Sequence, residues 1–275
     1  GKLFDVPLAK KMLSYSWPIL ILGIAGILNQ TAGYILFPYV YKNNDAHTQL
    51  GIFGAASKIA MIMSMITQAF RYAYEPFVFG KSRDKDNKET YARAMKFFII
   101  FTLLAFLVVM GYMDILRHII GRDYWVGLKV VPIVMAGGIM TGVYFNLSFW
   151  YKLIDKTIWG AYFSGIGCAV IIGINVIFVP RYGYIACAWA GFLGNATAMI
   201  LSYIVGQRKY PIAYPLKSIF VYVLIGGLFF AGITISNERL SAPLALTVNT
   251  IIILLFVTHV LYHDLPLIKI RRHKS

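Results

Sequence analysis

The stretch LGIFGAASKIAMIMSMITQAFRYAYEPFVFG, residues 50–80, is long and apolar enough to cross a bilayer, yet it carries Lys58, Arg71 and Glu75. Insertion scales put a cation at the centre of a membrane helix at about 2.5–3.5 kcal/mol, so these charges need a polar partner or water. At 100° per residue, Ser57, Ser64, Gln68, Arg71 and Glu75 follow spacings of seven, four, three and four and fall in one narrow stripe. The opposite face is Ala, Ile, Met and Phe. Such a helix is expected to turn its stripe to a protein interior or a water-filled cavity, and its apolar face to lipid or packed helices. Lys58 lies about 100° off the stripe, either flanking that cavity or pointing elsewhere.

The rest of the chain fits a membrane setting. Hydrophobic residues make up 59% of the 275, only 13% are charged, and the mean hydropathy is +0.69, a combination that excludes a soluble domain of this size. Eight apolar runs of spanning length can be marked: 12–39, 50–79, 95–113, 130–151, 158–179, 184–206, 218–236 and 242–262. Runs this long rule out barrel strands, so the fold class is an all-α polytopic helical bundle of about eight transmembrane helices.

The net charge of +15 is first of all a topology signal. Sorted by alternate sides of the membrane, the Lys and Arg residues outside the spans divide 18 to 6 in favour of the side holding both termini. The positive-inside rule then predicts cytoplasmic ends. The basic run from Lys81 to Lys96 reads as a topology anchor, and no nucleic-acid partner is expected because it has no recognisable binding module. Cys168 and Cys187 sit in apolar runs and read as small core residues. No metal site of ordinary spacing and no cofactor motif is present, and no acid, base and nucleophile assemble into a catalytic set. A transporter or a scaffold is expected rather than an enzyme.

Other spans carry secondary signals. The first has Asn29 and Gln30 near mid-membrane, which can face a cavity or hydrogen-bond to a neighbouring helix. The fourth has Gly138 and Gly142 in a GxxxG spacing and ends on Asn146, Trp150, Tyr151 and Lys152, where small residues point to close packing and the aromatics to an interfacial belt. Glycines 160, 165, 167 and 173 in the fifth span, with Gly191 and Gly194 in the sixth, read as packing faces. Asn175 and Asn195 are the buried polar residues there.

The blocks SKIAMIMSMITQAFRYAYEPFVF (57–79), YARAMKFF (91–98), VVPIVMAGGIMTGVYFNLSFWYKLIDKT (130–157), PRYGYIACAW (180–189) and YPIAYPLK (210–217) resemble, in order, the C-terminal half of bacterial polysaccharide biosynthesis proteins. These are lipid-linked oligosaccharide flippases, of the O-antigen type, in the multidrug/oligosaccharidyl-lipid/polysaccharide exporter superfamily. The resemblance implies a six-helix second lobe over 1–210 and two extra helices with a basic cytoplasmic tail over 211–275. It implies a missing N-terminal lobe as partner, a polyprenyl-pyrophosphate-linked oligosaccharide as substrate, and the bacterial inner membrane as location. By position Arg71, and Lys58 beside it, match the cations that the family presents to a pyrophosphate. Gln68, Glu75, Ser64, Asn29, Gln30 and Asn146 complete the candidate substrate-binding set. Similar sequences carry an acidic and a basic residue after the Asn-Gln pair, whereas this chain has Gly33 and Tyr34. A cation-coupled drug exporter on the same fold, or a membrane scaffold, are the alternatives.

The topology is directly checkable. A reporter fused at Asn44 is expected to read extracytoplasmic and one fused after Lys274 cytoplasmic; a cytoplasmic signal at Asn44 removes the span assignment.

Overall fold

The computed structural model describes residues 5–80 and 87–264, except the side chains of residues 18, 19, 22, 25, 29 and 30. Among the described residues ten α-helices follow one another: α1 (Val6–Val40), α2 (Ala46–Gly80), α3 (Asn87–Gly111), α4 (Met113–Leu116), α5 (Val131–Leu147), α6 (Phe149–Leu153), α7 (Ile158–Tyr182), α8 (Tyr184–Lys209), α9 (Leu216–Arg239) and α10 (Ala242–Asp264). Two short 3-10 segments, Arg117–Ile119 and Arg122–Val130, connect α4 to α5. There is no strand among the described residues, as the apolar run lengths require. Seven segments, namely α2, α3, Arg122–Leu153, α7, α8, α9 and α10, are long and apolar enough to cross a membrane. The first apolar run, 12–39, lies within the 35-residue α1. The chain is a multi-pass membrane protein.

Local chemistry sets the ends. Asp5 caps α1 by accepting a hydrogen bond from the Leu8 N–H at 3.1 Å, and Pro7 sits in the first turn, where its missing N–H is not needed. Between α7 and α8 a single residue, Gly183, reverses the chain at φ +56° and ψ −141°. A side chain is disfavoured there twice over, because a Cβ would also meet the Gln49 amide oxygen at 2.9 Å. The fourth apolar run is broken rather than continuous. At Ser148 the hydroxyl donates to the Phe145 carbonyl at 2.6 Å, and α5 passes into the short α6.

The described residues fall into two compact units. In the first (residues 1–91 and 124–213), α1, α2, α5, α7 and α8 pack on one another. The glycine faces divide by neighbour. Gly137 of α5 backs onto the Phe192 backbone of α8, and Gly138 turns to Met63 of α2, so the two adjacent glycines serve different helices. The tightest crossing is between α7 and α8, where a Cβ on Gly194 would lie 2.3 Å from Ile171 Cγ1 and 2.8 Å from the Gly167 carbonyl oxygen. An aromatic cluster of Tyr144, Trp150, Tyr151 and Phe163 fills the end of this unit near α6. Its hydroxyls are used internally: Tyr144 reaches Ser164 at 3.0 Å and the Trp150 indole N–H donates to Ser202 at 3.3 Å.

The second unit (residues 92–123 and 214–275) joins most of α3 to α9 and α10. The C-terminal carbonyls of α3, which a helix cannot satisfy itself, are met by side chains from the other two helices. Fully buried Asn249 donates to the Gly111 carbonyl at 2.9 Å and to the Asn237 amide oxygen at 2.8 Å, while Asn237 donates to the Met110 carbonyl at 3.5 Å. At the other end of α10, Lys96 and Tyr222 both donate to the Asp264 carboxylate, and the His259 ring packs between Tyr222 and His263.

The α7–α8 crossing gives a clean contrast. Gly194→Ala is expected to lower stability by about 1–3 kcal/mol, since neither the Ile171 stem nor backbone can yield easily. Gly191→Ala, which meets nothing within 4 Å, is expected to leave it unchanged. Thermal unfolding of the two purified variants checks both.

Candidate functional site

The helix of residues 46–80 has three faces, not two. Ile52, Ala56, Ile59, Ala60, Met63 and Thr67 form a buried stripe, and Met65 and Tyr72 point outward. Between them runs the polar stripe. Ser57, Ser64 and Gln68 of that stripe line a cavity of about 450 Å³ within the first unit, where α1, α2, α5, α7 and α8 converge. The other walls bring in Thr31, Gly33 and Tyr34 from α1, Thr141 and Phe145 from α5, Asn175 from α7, and Cys187 and Asn195 from α8. The volume is within the ~300–1,000 Å³ range of small-ligand sites.

Among the described residues no ionised side chain lines this cavity; the polar groups there are hydroxyls and amides, with the Cys187 thiol. Several of those groups are unpaired. The Asn175 side chain is 1% exposed and donates its amide N–H to Ile171 of its own helix at 2.8 Å, leaving its oxygen with no partner among the described residues. The Gln68 amide oxygen and the Thr67 hydroxyl are likewise buried without a partner. Buried polar atoms left open cost about 1–3 kcal/mol each, so a cluster facing one cavity marks a place where water or a hydroxyl-bearing ligand completes the hydrogen bonds.

The charges gather one turn further along α2. Arg71 is half-buried with its guanidinium carbon 4.9 Å from the centre of the Phe145 ring, the same ring that lines the cavity. Glu75 is shared by two cations: the ammonium of Lys152 donates to Glu75 Oε1 at 2.7 Å, and Arg71 Nε makes a longer ion pair with Oε2 at 3.8 Å. The spacing of four along one helix made the Arg71–Glu75 pair visible, but the stronger partner arrives from the end of α6, which only the packing of α2 on α5 brings near. Arg71 Nε is therefore buried without a hydrogen-bond acceptor among the described residues.

The remaining expected site residues scatter. Lys58 is exposed and lines no part of the cavity. Asn146 is buried but donates back to the Gly142 carbonyl of its own helix at 3.1 Å, and it is not a lining residue. Asn29 and Gln30 lie in α1, with side chains outside the described residues. The residues missed as site members are Tyr34, Thr67, Asn175, Asn195 and Lys152. Asn175 and Asn195 were visible as polar residues inside apolar runs, and Gly33-Tyr34 as a departure from the similar sequences. Among the described residues no group of three His, Cys, Asp or Glu side chains could hold a metal.

No protein-family model and no curated protein sequence matches the chain. A comparison of structures does. The chain superposes on the lipid II flippase MurJ in an inward closed conformation with a TM-score of 0.70 over 95% of its own length. The fold is similar to that of a flippase. The identity is 16%, so the likeness to MurJ is one of fold alone, and the chain spans 57% of the length of that structure. The cavity and the adjacent Arg71 both belong to a single packed unit of this MurJ-like fold.

The ion pair is open to measurement. Lys152→Met is expected to lower stability by about 1–3 kcal/mol, because it strands Glu75 beside an arginine too distant to hydrogen-bond. Glu75→Gln combined with Lys152→Met is expected to recover most of that loss. Thermal unfolding of wild type, both single variants and the double variant reads the coupling directly.

Proposed function

We propose that the chain is part of a flippase that moves a polyprenyl-pyrophosphate-linked oligosaccharide across the bacterial inner membrane for surface polysaccharide or lipopolysaccharide synthesis. The MurJ-like fold supports a transporter of a lipid-linked substrate, and the finer substrate comes from the sequence blocks that resemble polysaccharide flippases. The observation that carries the reading is Arg71. Its guanidinium is permanently charged, its Nε has no acceptor among the described residues, and the carboxylate one turn away is held by Lys152. A planar fork left in this state matches a phosphate, which it can grip with two parallel hydrogen bonds. The neutral hydroxyl and amide lining suits the sugar hydroxyls that follow the phosphate.

On this reading the tail stays in lipid while the head group passes through a cavity exposed alternately to each side. One lobe provides one wall. An opposing wall, from a further N-terminal lobe, completes the cavity and gives the present helices something to rock against.

The test is transport of a labelled lipid-linked oligosaccharide into vesicles holding the protein together with that lobe. Arg71→Ala is expected to lower the rate on the order of 10- to 100-fold, the size of a lost charge-assisted hydrogen bond. Arg71→Lys is expected to recover only part, since a point charge lacks the fork. Gln68→Leu and Asn175→Leu are expected to slow transport while Lys58→Ala does not. Transport by Arg71→Ala at the wild-type rate overturns the reading.

A further inference from the structure

A second cavity of about 400 Å³ opens in the first unit at the end where α1 begins, lined by Tyr15, Phe79, Lys152, Leu153, Asp155 and Tyr210. Its position is set by helix ends. α2 ends at Gly80, α6 at Leu153 and α8 at Lys209, each next to a lining residue. The Thr157 hydroxyl donates to the Tyr15 carbonyl at 3.4 Å and ties the α6–α7 loop to α1. Tyrosines and lysines collected at helix ends in a membrane protein mark the headgroup layer.

Asp155 is the informative residue. It follows the last turn of α6 at φ +55°, the only described residue other than glycine with positive φ. Its N–H reaches the Lys152 carbonyl at 3.3 Å, and the Lys156 N–H reaches the Tyr151 carbonyl at 2.8 Å, the paired bonds of a Schellman cap. Glycine is the usual residue at that position, because a side chain in the left-handed region is strained. A carboxylate at a helix C-terminus also faces the negative end of the helix dipole. Aspartate tolerates the left-handed region better than most side chains but less well than glycine, electrostatics does not favour it at a helix C-terminus, and its carboxylate has no ion pair among the described residues. A local rule broken beside a cavity points to a ligand.

The cavity offers one cation with spare donors, one anion and three aromatic rings. Lys152 spends one N–H on Glu75 and keeps two. The ring of Tyr210 already has the ammonium of Lys88 at 4.5 Å, so this ring accepts a cation on its face. A ligand carrying phosphate and ammonium together uses the two spare N–H groups of Lys152 and gives Asp155 a counter-charge, whereas a simple anion would set its charge against Asp155. We infer that this cavity binds the zwitterionic headgroup of a membrane phospholipid, with phosphate on Lys152, a primary ammonium on Asp155, and Tyr15, Phe79 and Tyr210 as its walls.

The test is lipid retention by the full chain purified in detergent with equal phosphatidylethanolamine and phosphatidylglycerol of identical acyl chains, counted by native mass spectrometry. Wild type is expected to keep phosphatidylethanolamine with a preference on the order of tenfold, as one charge-assisted hydrogen bond gives. Asp155→Gly relieves the strained backbone and so is expected to unfold no earlier than wild type, yet to lose that preference. A preference unchanged in Asp155→Gly, or a wild-type preference for phosphatidylglycerol, overturns the assignment. Soluble phosphoethanolamine separates the sources: if it binds and the lipid is not retained, the site does not belong to the membrane surface. Protection of the cavity by a soluble methyl glycoside in place of either overturns it as well.

Discussion

An ionised side chain in hydrocarbon must have a counter-charge or water, and this constraint organises the first unit of the molecule. Glu75 and Lys152 meet at 2.7 Å between α2 and α6 and remove one carboxylate and one ammonium from the account. Arg71 keeps only the longer 3.8 Å pair with the same carboxylate and stacks on Phe145 at the edge of a cavity with no ionised lining residue among those described. Were Glu75 to hydrogen-bond Arg71 rather than Lys152, the cavity would border a tightly neutralised arginine. The choice of partner at one carboxylate thus decides whether the cavity has an electrostatic character at all.

Much of the fold could be read in the sequence because the bilayer allows few alternatives. Eight apolar runs had to be helices, and they are; their ends agree with the structure to within about two turns, the break at Ser148 excepted. The stripe Ser57–Ser64–Gln68 on α2 was also legible, since a period of 3.6 residues fixes which side chains share a face whatever that face meets. What periodicity cannot give is the neighbour. Asn175, Tyr34 and Asn195 enter the cavity from three other helices, and their rotation about their own axes depends on packing of helices that are apolar almost all round. For α5 and α10 the apolar residues mark no face. Lys152 ends the fourth apolar run, and nothing in its spacing shows that its charge finds Glu75.

Of the glycines read as packing faces in the fifth and sixth spans, Gly160, Gly167 and Gly194 lie against neighbours, whereas Gly165, Gly173 and Gly191 would meet nothing within 4 Å of a Cβ and do not pack. The GxxxG spacing of Gly138 and Gly142 suggested one face; in the structure Gly137 and Gly138 turn to different helices, and the closest approach is Gly167 against Gly194. Asn249 shows the reverse case. In sequence it is one amide in an apolar run, with nothing to show its partner, and in the structure it supplies the donor that the end of α3 lacks. In lipid there is no water to do this, so a lone amide can be worth more at a helix end than in the middle of an interface.

The single-residue link at Gly183 has a mechanical consequence. With one residue between α7 and α8, and their backbones touching through Gly167 and Gly194, neither helix can slide along the other or turn about its axis independently. The pair forms a stiff lever. Asn175 on one arm and Asn195 on the other then keep a fixed separation, so any change of cavity shape must come from α1, α2 or α5 moving past them. A spin-label distance measured between those two arms would serve as an internal ruler, constant while distances to the other three helices change.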